Sequence, residues 1–294
     1  MKNRIALMAV ALAAVTGRAD DAYPKAELLA EPALIAKAED NAGFIVLDAR
    51  EQSKFENAHI PLARWVDHAS WAKAFDNGKD AEGWGRRIGE LGISEKSKVI
   101  VYDDVYGKDA ARIWWILRYW GVKDVRLLNG GWEYWKQGKL PVQKESVKPV
   151  AAEFKAVAQA EKLATKDLLL KAIGEGKLQI VDARSEKEHC GIETLSNKKA
   201  GSMPGAKNLE WIDLLDKETQ RFKSPAELKK LFEAAWIKLA EPTATHCQAG
   251  GRAAVMSFGM ELMGAPAVRT YYQSWGEWGN AGDTPVVKPE PKKK

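Results

Sequence analysis

Four motifs recur in the same order along the chain, at offsets of about 135 to 145 residues. Within each copy, short apolar strand-like runs alternate with helical stretches at the spacing of βαβ units. These observations predict an α/β fold of two tandem domains, each a parallel sheet flanked by helices, because parallel strands need crossovers and the crossover helices cover both faces. The size agrees: 294 residues, 46% of them apolar and 12 of them Trp, can bury two cores of ordinary domain size.

The chain opens on Lys2 and Arg4, an apolar run over residues 5–15 and the small-x-small site Gly17-Arg18-Ala19. That is the pattern of a cleaved secretory signal peptide over residues 1–19. The apolar run is too short to span a bilayer, so the expectation is a periplasmic or secreted protein with no membrane partner after removal. Removal takes away three bases and no acid, so the formal net charge falls from +5 to +2. No basic stripe with interleaved aromatics remains to bind nucleic acid; the terminal Lys292-Lys293-Lys294 reads as a solvated tail.

The first copy is placed over residues 20–137. Its strand Phe44-Ile-Val-Leu-Asp48-Ala-Arg50 recurs as Gln179-Ile-Val-Asp182-Ala-Arg184. Ala58-His59-Ile60-Pro61-Leu62-Ala63 recurs as Gly201-Ser202-Met203-Pro204-Gly205-Ala206. The strand Lys98-Val-Ile-Val-Tyr102-Asp103 recurs as Thr243-Ala-Thr-His246-Cys247, and both lead into helices over residues 110–120 and 253–263. Finally, Val125-Arg-Leu-Leu-Asn129-Gly-Gly-Trp132 recurs as Val268-Arg-Thr-Tyr-Tyr272-Gln-Ser-Trp275. Residues 138–157, with Pro141 and Pro149 among charged residues and no helical period, read as a linker over the surface. The second copy is placed over 158–282. Pro285, Pro289 and Pro291 mark 283–294 as a flexible tail.

The chemistry concentrates in the second copy at Cys247-Gln248-Ala249-Gly250-Gly251-Arg252, where a strand gives way to a helix. Gly250 and Gly251 permit a tight turn whose N–H groups converge on the Cys247 sulfur. The start of the following helix and the charge of Arg252 favour a negative sulfur there. A buried core cysteine would need none of these features. The same donors, from Gln248 through Gly251, would receive a substrate anion. A loop of the Cys-x5-Arg kind, which cradles a tetrahedral phosphate, is one residue longer, so a phosphatase is the disfavoured alternative. In the first copy Asp103 takes the place of the cysteine, and a carboxylate cannot accept a sulfane sulfur. Its acidic loop, Asp103-Asp104-Val105-Tyr106-Gly107-Lys108-Asp109, suits a wall of the cleft better than an anion cradle.

Two cysteines in an exported chain raise the question of a disulfide. A lasting bridge between Cys190 and Cys247 would consume the nucleophile, and none is expected. No four ligands stand at zinc spacing. Neither a metal nor a cofactor is therefore expected.

The six-residue loop from Cys247 to Arg252 resembles the active-site loop of the rhodaneses, the thiosulfate and 3-mercaptopyruvate sulfurtransferases. Phe55-Glu-Asn-Ala-His59-Ile60-Pro61-Leu62-Ala63 is similar to that family's N-terminal signature, with Leu62 in place of a usual Gly. Tyr272-Gln273-Ser274-Trp275-Gly276-Glu277-Trp278 is similar to its C-terminal signature, with Gln273 in place of a usual Gly. The resemblance implies two tandem rhodanese-like domains of which only the second reacts, with the site opening between them. It implies transfer of a sulfane sulfur from a small donor to a thiophilic acceptor, such as cyanide or a thiol protein, through a persulfide on Cys247. Arg184 matches a family position beside the loop; an ion pair with Glu186 or Glu188 is its structural alternative. Lys199, before the Gly201 motif, is placed to attract an anionic donor. Mercaptopyruvate enzymes of the family usually carry Gly-Ser or Gly-Thr after the cysteine, whereas Gln248-Ala249 stands here, which favours thiosulfate as donor. A persulfide carrier serving a partner protein is the third reading.

Overall fold

Apolar strands covered on both sides by helices build two sheets of the same plan. The computed structural model describes residues 22–36 and 41–292; the expected signal peptide at residues 1–19 lies outside them. The first repeat runs β1 (Leu29–Ala30), β2 (Phe44–Asp48), α1 (Gln52–Asn57), β3 (Arg64–Trp65), α2 (His68–Ala74), α3 (Ala81–Glu90), β4 (Lys98–Tyr102), α4 (Lys108–Tyr119), β5 (Asp124–Leu128) and α5 (Gly131–Gln137). Its strands are parallel throughout and lie in the order β1-β5-β4-β2-β3.

The second repeat runs α6 (Lys166–Glu175), β6 (Gln179–Asp182), α7 (Glu186–His189), β7 (Lys207–Asn208), α8 (Pro225–Ala234), β8 (Thr243–His246), α9 (Gly251–Leu262), β9 (Val268–Thr270) and α10 (Ser274–Trp278). Its strands are also parallel, in the order β7-β6-β8-β9. Leu163 bridges Thr270 on the outer side of β9, standing where β1 stands in the first sheet. The two-domain parallel α/β architecture expected from the repeats is thus the one observed.

The helices that follow the two matched loops, α4 and α9, hold the domains together. Both are buried on nearly every side, as helices apolar all round must be. Gly251 sits against Lys108 at one end, Trp114 meets Phe258 edge-on at 5.0 Å in the middle, and Arg118 pairs with Glu261 at the other end. Contacts in register at both ends mean that the helices run side by side in one direction. Their N-termini, and the loops that feed them, therefore open at the same face of the molecule. No helix among the described residues is long and apolar enough to cross a membrane.

A second device is built twice. In the first repeat Arg50 pairs with Asp48 at 2.6 Å, donates to Ala58 O at 2.7 Å, and lies 3.9 Å over the Trp132 ring. In the second, Arg184 pairs with Asp182 at 2.6 Å, donates to Gly201 O at 2.7 Å, and lies 4.2 Å over Trp275. The buried charges are paired, hydrogen-bonded and stacked, as burial demands. They tie the end of the second strand in each repeat to the following loop.

The segments expected to be loose are not. Residues 138–157 do cross the surface of the first domain, with Gln143 paired to His59, Ala152 N–H donating to Gly89 O and Phe154 buried. The expected flexible tail is corrected over its described part. Val287 pairs with Ser202, Thr284 donates to Trp278 O, and Lys292 N–H reaches Glu186. Prolines without a helical period mark irregular chain, but irregular chain that satisfies its polar groups on a neighbouring surface is still packed.

The repeats differ at one buried position with a measurable consequence. Tyr102 on β4 donates its hydroxyl to Asp48. Its counterpart on β8, His246, is shorter, stands 3.8 Å from Asp182, and neither ring nitrogen has a hydrogen-bond partner. Burial pushes the His246 pKa down to about 4, against the attraction of Asp182. Between that value and the ordinary 6.5 the unfolded chain binds the extra proton, so stability present above pH 6.5 is lost as pH falls toward 4. The loss expected is about 3 kcal/mol from this residue. Urea midpoints measured from pH 7 to pH 4 should show a steeper decline for the wild type than for His246→Tyr, which restores the first repeat's hydroxyl. Equal slopes would contradict this assignment.

Candidate active site

Cys247 follows the last residue of β8 and precedes α9, so the sheet fixes one side of the loop and the helix the other. The turn between them depends on Gly250, whose φ is +87° and whose Cα faces Tyr272 O so closely that a Cβ would lie 2.8 Å from it. That backbone turns the Gly250 N–H onto the Cys247 Sγ at 3.1 Å. Ser274 Oγ accepts from the Cys247 N–H at 3.1 Å and lies 3.9 Å from the sulfur. Ser274 is itself held at φ +55°. Strain of this kind in a residue other than glycine persists only where its surroundings impose it. The N–H groups of Ala249, Gly251 and Arg252 make no hydrogen bond among the described residues. They rim the sulfur at the positive end of a twelve-residue helix.

The sulfur lies on the floor of a cavity of about 1050 Å³ between the domains. The second domain lines it with Cys247, Gln248, Ala249, Gly251, Arg252 and Tyr272, and the first with His68, Lys73, Lys108, Asp109 and Arg112. Cys247 is only 1% exposed, so a reactant must enter this cavity to reach it.

The matching loop of the first repeat is also an anion cradle, contrary to the expectation of an acidic wall. Asp103, at the position of Cys247, is buried. Its Oδ1 accepts the N–H groups of Val105 and Gly107 at 3.0 and 2.8 Å, and its Oδ2 those of Asp109 and Ala110, both at 2.8 Å. Burial raises its pKa to about 6, the four N–H groups pulling the other way. At neutral pH the cradle is filled by the chain's own carboxylate, and nothing nucleophilic stands in it.

A family model for the rhodanese-like domain matches residues 31–138 and again 165–281. The chain belongs to the rhodanese-like family. A thiosulfate sulfurtransferase of Azotobacter vinelandii is 31% identical over 90% of this chain and 99% of its own length. One of Pseudomonas aeruginosa is 31% identical over 88% and 96%. A human 3-mercaptopyruvate sulfurtransferase is also 31% identical, over 79% and 80%. Among solved structures, a 3-mercaptopyruvate sulfotransferase of Escherichia coli superposes with a TM-score of 0.74 at 26% identity, over 85% of this chain and 99% of that one. An ergothioneine biosynthesis enzyme of Chlorobium limicola shares the fold, with a TM-score of 0.80 at 22% identity over 92% of this chain and 72% of that one.

Within this rhodanese-like site the residues singled out from the sequence divide. Cys247, Gln248, Ala249, Gly251 and Arg252 line the cavity, and Gly250 supplies the one N–H bonded to sulfur. The Gln248 side chain turns outward to exchange hydrogen bonds with Asn197, both near 3.1 Å. Arg184 is corrected: it is buried on Asp182, not on Glu186 or Glu188, and does not line the cavity. The same arrangement around Arg50 in the silent repeat shows that it serves architecture. Lys199 is corrected too, since its ammonium is spent on Thr284 O and Oγ1 at 2.6 and 2.8 Å. Trp275 and Trp278 are core residues. His246 points away from the sulfur, toward Asp182. Cys190 and Cys247 are both free thiols, with no disulfide between them. Among the described residues no cluster of His, Cys, Asp or Glu could hold a metal.

Arg252 does not rest on the sulfur alone. Both arms of its guanidinium hold Glu188, at 2.6 and 2.9 Å, while the charge stays within electrostatic reach of Cys247. Burial opposes both charges, yet Arg252 keeps the Glu188 carboxyl below its usual range. Glu188 also closes the capping box of α7 with Ser185. Removing the guanidinium strands a buried carboxylate, so Arg252→Gln should lower stability by about 2 to 3 kcal/mol. The companion Glu188→Gln should restore part of that loss. Urea unfolding of the two single variants and the double variant checks this, and an Arg252→Gln protein as stable as the wild type would refute it.

Proposed function

We propose that this protein is a sulfurtransferase that moves a sulfane sulfur from thiosulfate to a thiophilic acceptor through a persulfide on Cys247. The observation that carries the reading is a thiol set among inward N–H groups at a helix N-terminus, on the floor of a cavity that reaches solvent. In the first half-reaction the Cys247 thiolate attacks the outer sulfur of the donor. A sulfur–sulfur bond forms to Sγ, the donor's own sulfur–sulfur bond breaks, and sulfite departs with the bonding pair. In the second, cyanide or a thiolate takes the outer sulfur, and the pair returns to Sγ. The free N–H groups of Ala249, Gly251 and Arg252 are positioned for the sulfur that Sγ gains, while Arg252 opposes the negative charge.

Relatives named for thiosulfate and for 3-mercaptopyruvate share the same identity with this chain, and the cavity is larger than thiosulfate requires. An organic donor such as 3-mercaptopyruvate, or a protein thiol as acceptor, is therefore the second reading. Ala249 stands two residues after Cys247, where a hydroxyl could otherwise assist an organic leaving group, which keeps thiosulfate first. Export from the cytoplasm, to the periplasm or beyond, belongs to the same proposal and rests on the pattern of residues 1–19.

Cys247→Ser should abolish sulfite release from thiosulfate, and Cys190→Ser should leave it within about twofold, a spread worth less than half a kcal/mol. Sulfite release retained by Cys247→Ser would overturn the reading. The ratio of kcat/KM for thiosulfate and 3-mercaptopyruvate on the wild type decides the donor.

A further inference from the structure

Four cations line the cavity, and they are not equivalent. Arg252 has both arms on Glu188. Lys108 lies 3.8 Å from Asp109. Lys73 is exposed at the rim. Arg112, from α4 of the silent domain, pairs with no carboxylate among the described residues. Its one hydrogen bond runs from Nη1 to the Tyr272 hydroxyl at 3.2 Å, and its buried Nε has no acceptor at all. Its Nη2 overhangs the catalytic loop so closely that a Cβ on Gly251 would lie 2.8 Å away, and it is within electrostatic reach of Cys247.

A largely buried guanidinium with an empty donor and no counter-ion is costly unless an anion completes it. Its planar fork fits the oxygens of a sulfonate or carboxylate better than a lone sulfur does. We infer that Arg112 is the subsite for the oxyanion end of the donor, supplied by the first domain to the nucleophile of the second. This rests on the sulfurtransferase reading and extends it. With the outer sulfur of thiosulfate over Cys247, the three oxygens lie toward Arg112, and the carboxylate of 3-mercaptopyruvate would use the same fork. Asp103 is a positioning residue in this arrangement. Its cradled carboxylate binds the N–H groups of Asp109 and Ala110 and so fixes the first turn of the helix that carries Arg112.

The test compares the wild type with Arg112→Gln and Arg112→Lys. Thiosulfate is the charged reactant, and iodoacetamide, which alkylates Cys247 without carrying charge, is the neutral one. Loss of a charge-assisted contact should raise KM for thiosulfate about ten- to hundredfold in Arg112→Gln, with kcat changed far less. Arg112→Lys should fall between the two. Iodoacetamide should alkylate Cys247 in all three at rates within about twofold, which also shows the loop intact. An unchanged KM in Arg112→Gln overturns the inference. Parallel losses of thiosulfate and iodoacetamide reactivity overturn it as well, since they place the guanidinium's effect on the sulfur or the fold. A wild type that releases no sulfite condemns the functional reading itself, a separate outcome.

Discussion

A negative charge held by backbone N–H groups between a strand and a helix organises both halves of this molecule. In the first repeat the charge is the carboxylate of Asp103, which four N–H groups saturate. In the second it is the sulfur of Cys247, which one N–H touches while three neighbouring ones stay free. The two loops make opposite uses of one piece of backbone chemistry. Saturation makes a fixed anchor for α4, and incompleteness leaves room for a reactant atom. The helices that begin there run side by side, so the anchor and the reactive loop share one cavity.

Much of the remaining structure holds that loop still. The Asp–Arg pair stacked on a tryptophan occurs in both repeats, and its presence in the repeat without a nucleophile separates scaffold from chemistry. Glu188 links the second scaffold to the site by capping α7 and gripping Arg252. Ser274 and Tyr272, from the turn after β9, brace the sulfur and the turn at Gly250 from the opposite side. The chain thus spends several buried polar contacts on the pose of one atom, and rigid support of this kind is what a short-lived covalent intermediate needs.

The repeat order, the parallel sheets, the nucleophile and its glycines were legible in the sequence because they are local patterns: apolar runs, turn glycines and a residue swap at one register. What was not legible depends on which side chains meet across the fold. Arg184 carries the same charge whether it faces a substrate or Asp182, and only its twin Arg50 could have indicated the structural use. Lys199 finds Thr284 from a segment that composition marked as loose. Glu188 and Arg252 stand far apart along the chain, and Arg112 belongs to the other domain. The acidity of the first loop suggested a surface feature, yet Asp103 is turned inward; its identity with the cysteine position was the available signal.

All of this converges on a sulfur that can carry a second sulfur. The intact mass of the protein should be measured before thiosulfate, after it, and again after cyanide, with peptide mapping of the modified species. One added sulfur, located on Cys247 and removed by cyanide, is the expected result. No added sulfur, or a sulfur carried by Cys190, would contradict the account.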